Sequence, residues 1–88
     1  MAKVLIIDDD RMVCTLLCEI GTRMGHDVTY ALSLGEGLRK IVARAFDVVF
    51  LDVYLPDGNG LDLLPEIREM PSRPEVIIFT GAGDPDGA

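Results

Sequence analysis

Four short apolar runs alternate with longer amphipathic segments along this chain, and that order restricts its fold more than any other feature. The runs span residues 3–7, 27–31, 47–52 and 75–79 and are rich in β-branched residues, as is typical of strands. The connections between them are too short for anything but crossovers, so we predict that the four strands align in one parallel sheet. The sequence therefore predicts an α/β fold.

The segment between the first two strands has the apolar spacing of an α-helix. We predict this helix over residues 11–24, with Asp9 or Asp10 as its N-cap and Gly25 as the left-handed turn that ends it. Cys14 and Cys18 lie four residues apart on it and are interpreted as small apolar residues near a core, with a redox role as the alternative. The predicted core-facing stripe consists of Val13, Leu16, Leu17, Ile20 and Met24.

Two further helices are predicted between the remaining strands. The second begins after Ser33, because Ser33 and Glu36 match the capping-box pattern S-x-x-E. The third lies roughly within residues 61–70, where Pro65 indicates that the helix starts late or holds the proline in its first turn. The second helix extends to about residue 45 and is predicted to bury Leu34, Leu38, Ile41 and Val42.

The composition fits one small domain, which we assign to residues 1–88. The chain is 49% hydrophobic and carries a net charge of −7, from 8 basic and 15 acidic residues. Because phosphate binding needs clustered Lys and Arg, no nucleic-acid or anionic-membrane surface is expected on this segment. No apolar run approaches the roughly 20 residues of a membrane span. The start lacks a signal-peptide pattern, so we expect a cytoplasmic protein.

Polar side chains come at the ends of three predicted strands. Asp8 and Asp9 follow the first strand, Asp52 ends the third, and Thr80 ends the fourth. Ligands of open parallel sheets bind outside the carboxyl ends of the strands, so the carboxylates meet there if the first and third strands are neighbours. Two unit charges about 4 Å apart repel by roughly 4 kcal/mol at an effective dielectric of 20. Carboxylate oxygens are ligands of Mg²⁺, so we predict a site for Mg²⁺ or Mn²⁺.

A metal beside a strand-end carboxylate suggests phosphoryl chemistry. Asp52 can act as a nucleophile toward phosphorus and form an aspartyl phosphate, while the metal neutralises charge on the phosphoryl oxygens. The hydroxyl of Thr80 could hydrogen-bond one of those oxygens. The glycines and the asparagine that follow Asp52 keep the rim of the site low and supply backbone donors.

Three motifs resemble the receiver domain of bacterial two-component response regulators: VLIIDDD, VVFLDVYLPDGNGLDLL and EVIIFTGAGD, in this order and spacing. The resemblance covers all 88 residues. It implies a flavodoxin-like (CheY-like) fold of three α/β/α layers with strand order 2-1-3-4. It also implies a signalling receiver rather than an enzyme, with at most self-catalysed phosphorylation and dephosphorylation.

The resemblance assigns roles to residues at the sheet edge. It implies that Asp52 is the phospho-acceptor and that Thr80 senses the phosphoryl group. Asp8 and Asp9 would form the acidic metal site, with Asp9 favoured as the direct ligand. The backbone carbonyl of Tyr54 would be a further metal ligand. Each of these residues stands at the matching place of the three motifs.

The resemblance also implies partners. A histidine kinase would donate the phosphoryl group, and an output domain, a DNA-binding transcription activator, would respond in the full protein. The tail TGAGDPDGA further resembles receivers attached to sigma-54-dependent (NtrC-type) activators.

The family pattern continues with another helix, a fifth strand that carries a lysine, and a last helix. The lysines of this chain are Lys3 and Lys40, and neither follows the fourth strand. We therefore expect a receiver that is truncated after its fourth strand, with that strand as an exposed apolar edge. Because such edges pair with other chains, we expect a homodimer or higher oligomer near the fourth strand.

Simpler interpretations remain open for the acidic residues. Asp8 and Asp9 could only cap a helix, and Asp52 could begin an ordinary Asp-rich turn. Two other functions also remain open. One is a metal-dependent phosphatase with an aspartate nucleophile, although Tyr54 stands where such enzymes place a second acid. The other is a receiver-like module used only for dimerisation or interaction.

Overall fold

The computed structural model describes residues 1–79. No helix in that range has the length and apolar character that crossing a membrane requires. A 3₁₀ turn, Gly60–Leu63, precedes the last helix. In chain order the strands and helices are β1 (Lys3–Ile7), α1 (Arg11–Arg23), β2 (Asp27–Ala31), α2 (Leu34–Ala43), β3 (Val48–Asp52), β4 (Tyr54–Leu55), β5 (Gly58–Asn59), α3 (Leu64–Arg68) and β6 (Glu75–Phe79).

Four of the strands form one parallel sheet in the order β2-β1-β3-β6. This order confirms the predicted flavodoxin-like arrangement. The fourth strand of the sheet is β6, because the short antiparallel hairpin β4–β5 lies between it and β3 in the chain. In the central strand β1, Ile7 is in register with Ala31 of β2 and with Leu51 of β3.

Alternate side chains of the strands form two cores, one on each face of the sheet. On one face Ile7 belongs to a buried cluster with Ile41 of α2 and Ile67 of α3. On the other face Ile6 belongs to a cluster with Cys14 of α1. The sheet therefore lies between α1 and the pair α2 and α3, which confirms the three predicted layers.

The predicted apolar stripes of α1 and α2 are wrong in part. In α1 the buried residue is Cys14, as its interpretation as a small apolar residue near a core requires. This helix packs mainly against β2. The face that carries Cys14 lies against the sheet, and the rest of the predicted apolar stripe is left largely in solvent. In α2 the core is reached through Ile41. Residues predicted to be buried that are instead exposed are Leu16, Ile20, Met24 and Val42.

Side chains and a glycine fix the helix ends as predicted. Asp10, rather than Asp9, caps α1 by accepting hydrogen bonds from two amides of its first turn. Ser33 Oγ accepts from the Glu36 amide over 3.1 Å, and Glu36 Oε1 accepts from the Leu32 amide over 2.9 Å. The second bond of this capping box therefore reaches one residue further back than the pattern predicts. Gly25 follows α1 with φ of +90°.

The segment after β3 differs most from the prediction. In place of one helix over residues 61–70 there are a 3₁₀ turn and the five-residue α3, which has Pro65 in its first turn. This is the late start that the proline predicts, because proline has no amide hydrogen to donate within a helix. The hairpin β4–β5 was not predicted, since its strands of two residues each are too short to show a periodicity.

Candidate metal centre

Asp8 and Asp52 lie at the carboxyl ends of neighbouring strands. Ile7 of β1 is in register with Leu51 of β3, so the residue that follows each of them reaches the same edge of the sheet. Asp9 comes next, on the loop into α1. One carboxylate oxygen from each of Asp8, Asp9 and Asp52 lies within 4.8 Å of the other two. The structure thus brings together the acidic residues that the sequence places at strand ends.

The N-cap of α1 is Asp10, so helix capping does not explain the presence of Asp8 and Asp9. Its side chain accepts the hydrogen bonds of the first turn of α1. The backbone amide of Asp10 donates to Asp8 Oδ1 over 2.9 Å, which holds the Asp8 carboxylate at the edge of the sheet. Asp8 and Asp9 are therefore not the caps of α1, and their place in the cluster needs another explanation.

Burial and like charge both act on the cluster. Asp8 and Asp52 are each only 3% exposed. Burial raises the pKa of Asp8 to about 6, the charge of Asp52 adds to that rise, and the hydrogen bond from the Asp10 amide opposes it. None of the ion pairs between side chains of residues 1–79 involves Asp8, Asp9 or Asp52. In the described part of the chain, the cluster therefore has no cationic side chain as a partner.

The oxygen donors of the cluster fit a hard divalent cation. Mg²⁺ binds one or two carboxylates, keeps several waters and rarely sits in a cage made only of protein groups, and Mn²⁺ prefers the same oxygen ligands. Asp8, Asp9 and Asp52 each offer one carboxylate oxygen, and these three oxygens lie within 4.8 Å of one another. A cation there would also offset the burial of charge, and the smaller repulsion from Asp52, that raise the pKa of Asp8. The residues present thus fit the predicted metal.

Backbone hydrogen bonds fix the loop that follows Asp52. The Tyr54 amide donates to Asp52 Oδ1 over 3.3 Å. The Val53 amide donates to the Phe79 carbonyl over 3.2 Å, and the Gly60 amide donates to the Val53 carbonyl over 2.7 Å. Asp52 does begin a turn, as the simpler interpretation has it, but it does so while buried beside Asp8. The turn therefore orients the Asp52 carboxylate within the cluster.

Two predicted site residues remain predictions. Thr80 lies outside the described residues, as does the tail TGAGDPDGA. Tyr54 lies beside the cluster with its side chain largely exposed, and the role of its backbone carbonyl as a metal ligand stays a prediction. Cys14 lies behind the cluster, because its thiol donates to the Asp8 carbonyl over 3.3 Å. Burial raises the pKa of this thiol to about 12, so it stays protonated at neutral pH.

Two residues of the loop make contacts that sequence reasoning missed. A Cβ atom added at Gly60 would lie 2.0 Å from the backbone oxygen of Asp52. The Asp57 carboxylate accepts hydrogen bonds from the Leu34 amide over 2.8 Å and the Gly35 amide over 3.0 Å. The letters DGNG indicate a tight turn, but no local pattern links residue 57 to a helix that begins more than 20 residues earlier.

Among known proteins, the family described as response regulator receiver domain matches residues 4–88. The chain is 36% identical over 78 residues to the DNA-binding transcriptional regulator NtrC of Azospirillum brasilense, covering 89% of this chain and 16% of that protein. It spans only 16% to 37% of the length of the first curated relatives it matches. Each of these relatives is therefore a much longer protein.

Solved receiver structures share the fold. The CheY-like receiver domain protein from Methanospirillum hungatei JF-1 superposes with a TM-score of 0.87 at 30% identity, covering 99% of this chain and 70% of that one. TrrA of Thermotoga maritima in complex with Mg²⁺-BeF gives 0.81 at 30% identity, with 91% and 70% covered. A structure of the histidine kinase ThkA in complex with TrrA gives 0.82 at 28% identity, with 96% and 72% covered. By this shared fold and the match over residues 4–88, the chain belongs to the response regulator receiver domain family.

Proposed function

We propose that this chain is a phospho-accepting receiver of two-component signalling, in which Asp52 receives a phosphoryl group from a histidine kinase. The observation that carries the proposal is the convergence of Asp8, Asp9 and Asp52 within 4.8 Å at the carboxyl edge of the sheet. The similarity to TrrA, solved with Mg²⁺-BeF and with the kinase ThkA, supports the same assignment.

Asp52 acts as the nucleophile in this proposal. One of its carboxylate oxygens attacks the phosphorus of the kinase's phosphohistidine, so that an O–P bond forms and the N–P bond breaks. The electron pair of the broken bond returns to the imidazole, which takes up a proton from solvent. The Tyr54 amide orients the carboxylate through Asp52 Oδ1. When bound by Asp8, Asp9 and Asp52, a divalent cation supplies positive charge beside the phosphoryl oxygens.

The phosphorylated Asp52 then acts as a switch. It adds negative charge and strong acceptor oxygens at the sheet edge, and we assign Thr80 as the hydroxyl that donates to one of them. This contact biases a two-state surface, which in a longer protein would control an output domain. We propose a DNA-binding transcription activator as that domain, working in the cytoplasm, because one relative is named as a DNA-binding transcriptional regulator.

A phosphatase is less consistent with the site. Hydrolysis of a phosphate ester needs a general acid to protonate the leaving group. The residue two positions after Asp52 is Tyr54, whose side chain is largely exposed and carries no carboxyl group. We therefore propose no turnover of phosphate monoesters, and at most self-catalysed phosphorylation and dephosphorylation of Asp52.

Intact mass after incubation with acetyl phosphate tests the proposal. The chain is expected to gain one phosphoryl group in the presence of Mg²⁺ and none after chelation, because the acidic cluster repels an anionic donor until a cation is bound. Asp52→Asn keeps the shape of the side chain and is expected to gain nothing. A gain in that variant, or no gain in the unmodified chain with Mg²⁺, would contradict the proposal. Steady release of inorganic phosphate from an alkyl phosphate monoester, whose leaving group does need protonation, would favour the phosphatase.

We also propose that copies of the chain associate through β6 into a homodimer or higher oligomer. Within residues 1–79 this strand pairs only with β3, and Ile77 and Ile78, on opposite faces of the strand, are each 45% exposed. An unpaired apolar edge favours strand addition. Light scattering is expected to give a dimer or larger species for the chain and a monomer for Ile78→Lys. Val42→Lys, at an exposed apolar residue of α2, is the matched control and should leave the assembly unchanged. A monomeric unmodified chain would refute the proposal.

A further inference from the structure

We propose that Asp57 is a positioning residue that clamps the loop of the metal site to the start of α2, and that this clamp strengthens binding of the divalent cation. The inference rests on the proposed function, since the cation is part of it. The loop in question is residues 53–60, which contains the hairpin β4–β5 and runs from the end of β3 to Gly60, the first residue of the 3₁₀ turn.

The clamp is a two-oxygen contact between distant parts of the chain. Asp57 Oδ1 accepts from the Leu34 amide over 2.8 Å, and Asp57 Oδ2 accepts from the Gly35 amide over 3.0 Å. These amides belong to the first turn of α2, where backbone N–H groups have no partner within the helix. The two hydrogen bonds hold the pKa of Asp57 below its ordinary value, although the side chain itself is exposed.

The other amides of the same turn show that the clamp is part of a complete cap. Ser33 Oγ accepts from the Glu36 amide, and the Gly37 amide donates to the Ser33 carbonyl. The local cap thus satisfies only the third and fourth amides of α2. The first and second depend on Asp57, which also places a negative charge at the positive end of the helix dipole. The loop and the helix are therefore stabilised by the same contact.

Two glycines of the loop lie so close to neighbouring segments that a side chain would not fit: Gly58 against α2 and Gly60 against the end of β3. A Cβ atom at Gly58 would lie 2.9 Å from Leu34 Cδ2, and φ at this residue is +153°. At the other end of the loop, a Cβ atom at Gly60 would lie 2.0 Å from the Asp52 backbone oxygen. The hairpin tip thus lies against α2 while its base lies against the phospho-acceptor.

The hairpin β4–β5 connects the contact made by Asp57 to the acidic cluster. Leu55 pairs with Gly58, and Tyr54 pairs with Asn59, so the strand that leaves Asp52 is held by the strand that returns from Asp57. The Tyr54 amide donates to Asp52 Oδ1, and its carbonyl is the proposed backbone ligand. A loop released at Asp57 would have to be ordered again when the cation binds. Residues that orient ligands in this way typically change metal affinity by about tenfold or more when they are removed.

The test compares Asp57→Ala and Asp57→Asn with Asp62→Ala. Asp62 is an exposed acid of the adjacent 3₁₀ turn, so its removal changes the net charge equally without touching the clamp. Amide hydrogen exchange by NMR is measured without metal, and Mg²⁺ affinity is measured from amide shifts in a titration. Asp57→Ala is expected to speed exchange at Leu34, Gly35 and Tyr54 and to weaken Mg²⁺ binding by about tenfold.

The variants separate a positioning role from simple capping. Asp57→Asn keeps one acceptor oxygen and is expected to fall between Asp57→Ala and the unmodified chain, which keeps the test usable if the alanine variant unfolds. Asp62→Ala should match the unmodified chain apart from a small loss from its charge. Faster exchange at Leu34 and Gly35 with unchanged Tyr54 exchange and unchanged Mg²⁺ affinity would overturn the inference. If the unmodified chain binds no Mg²⁺, the proposed metal-dependent function fails, and Tyr54 exchange alone decides whether the clamp reaches the site.

Discussion

Gly60→Ala is expected to lower the free energy of unfolding by about 4 kcal/mol, among the largest losses that a single substitution causes. The added Cβ would lie 2.0 Å from the Asp52 backbone oxygen, 3.0 Å from the Asp52 carbonyl carbon and 3.1 Å from Leu51 Cδ1. A flexible side chain can move away from an added methyl group, but the Asp52 carbonyl belongs to a central strand of the sheet. The loop must therefore leave its seat or β3 must shift, and either change costs packing in a buried region.

Urea unfolding monitored by circular dichroism measures this loss, and Gly35→Ala is its matched control. A Cβ atom at Gly35 would meet Asp57 Oδ2 at 3.5 Å, which is ordinary van der Waals contact. Because alanine favours a helix by about 1 kcal/mol over glycine, Gly35→Ala should be neutral or stabilising. Gly60→Ala should also displace the Asp52 carboxylate and slow its phosphorylation. Equal stability of the two variants would show that the loop can move away from Asp52 at little cost.

The fold of this chain could be predicted because its signals are local. Runs such as residues 3–7 are short and apolar, and S-x-x-E and Gly25 mark helix ends within a few residues. The position of the candidate site followed from topology, since parallel strands bring their carboxyl ends to one edge. Asp8, Asp9 and Asp52 could be predicted in this way, because Asp52 ends one strand and Asp8 and Asp9 are the first two residues after another.

The rest depends on contacts between distant segments. Asp57 looks like one more turn residue until α2 is placed beside it, and the closeness of Gly60 to Asp52 requires the path of the loop. Periodicity also misjudged α1, because it shows which residues share a face and not how much of that face the sheet covers. Leu16 and Ile20 lie on the apolar face of α1 but outside the part that the sheet covers, so both are exposed. Local sequence patterns therefore do not predict which part of a helix face the sheet covers or which distant side chain caps a helix.

Asp8→Asn is expected to raise the free energy of unfolding of the metal-free chain by about 2 kcal/mol at pH 7. Burial raises the pKa of Asp8 from 3.8 to about 6, so at neutral pH the folded state holds a charge that it disfavours. Each unit of such a shift is about 1.4 kcal/mol, and part of the gain is lost to residual structure in the unfolded chain. Asparagine removes the charge and keeps an oxygen for the Asp10 amide, which now donates to Asp8 Oδ1.

The difference in stability between the unmodified chain and Asp8→Asn is expected to depend on pH. A raised pKa means that the folded state binds the proton more tightly than the unfolded state does. The unmodified chain therefore gains stability relative to Asp8→Asn as the pH falls from about 6 toward 4, and the difference should vanish below that window. Above pH 6 it should be constant.

Mg²⁺ should reverse the order of the two proteins. A ligand that binds only the folded state stabilises it by an amount that grows with its concentration over Kd, and Asp8→Asn gives up one of the three carboxylates at the site. Urea unfolding at pH 7 is thus expected to show the variant as the more stable protein without metal and as the less stable one at saturating Mg²⁺. A variant that is less stable under both conditions would mean that the Asp8 carboxylate stabilises the fold even without a cation. The repulsion that motivates the metal site would then be absent.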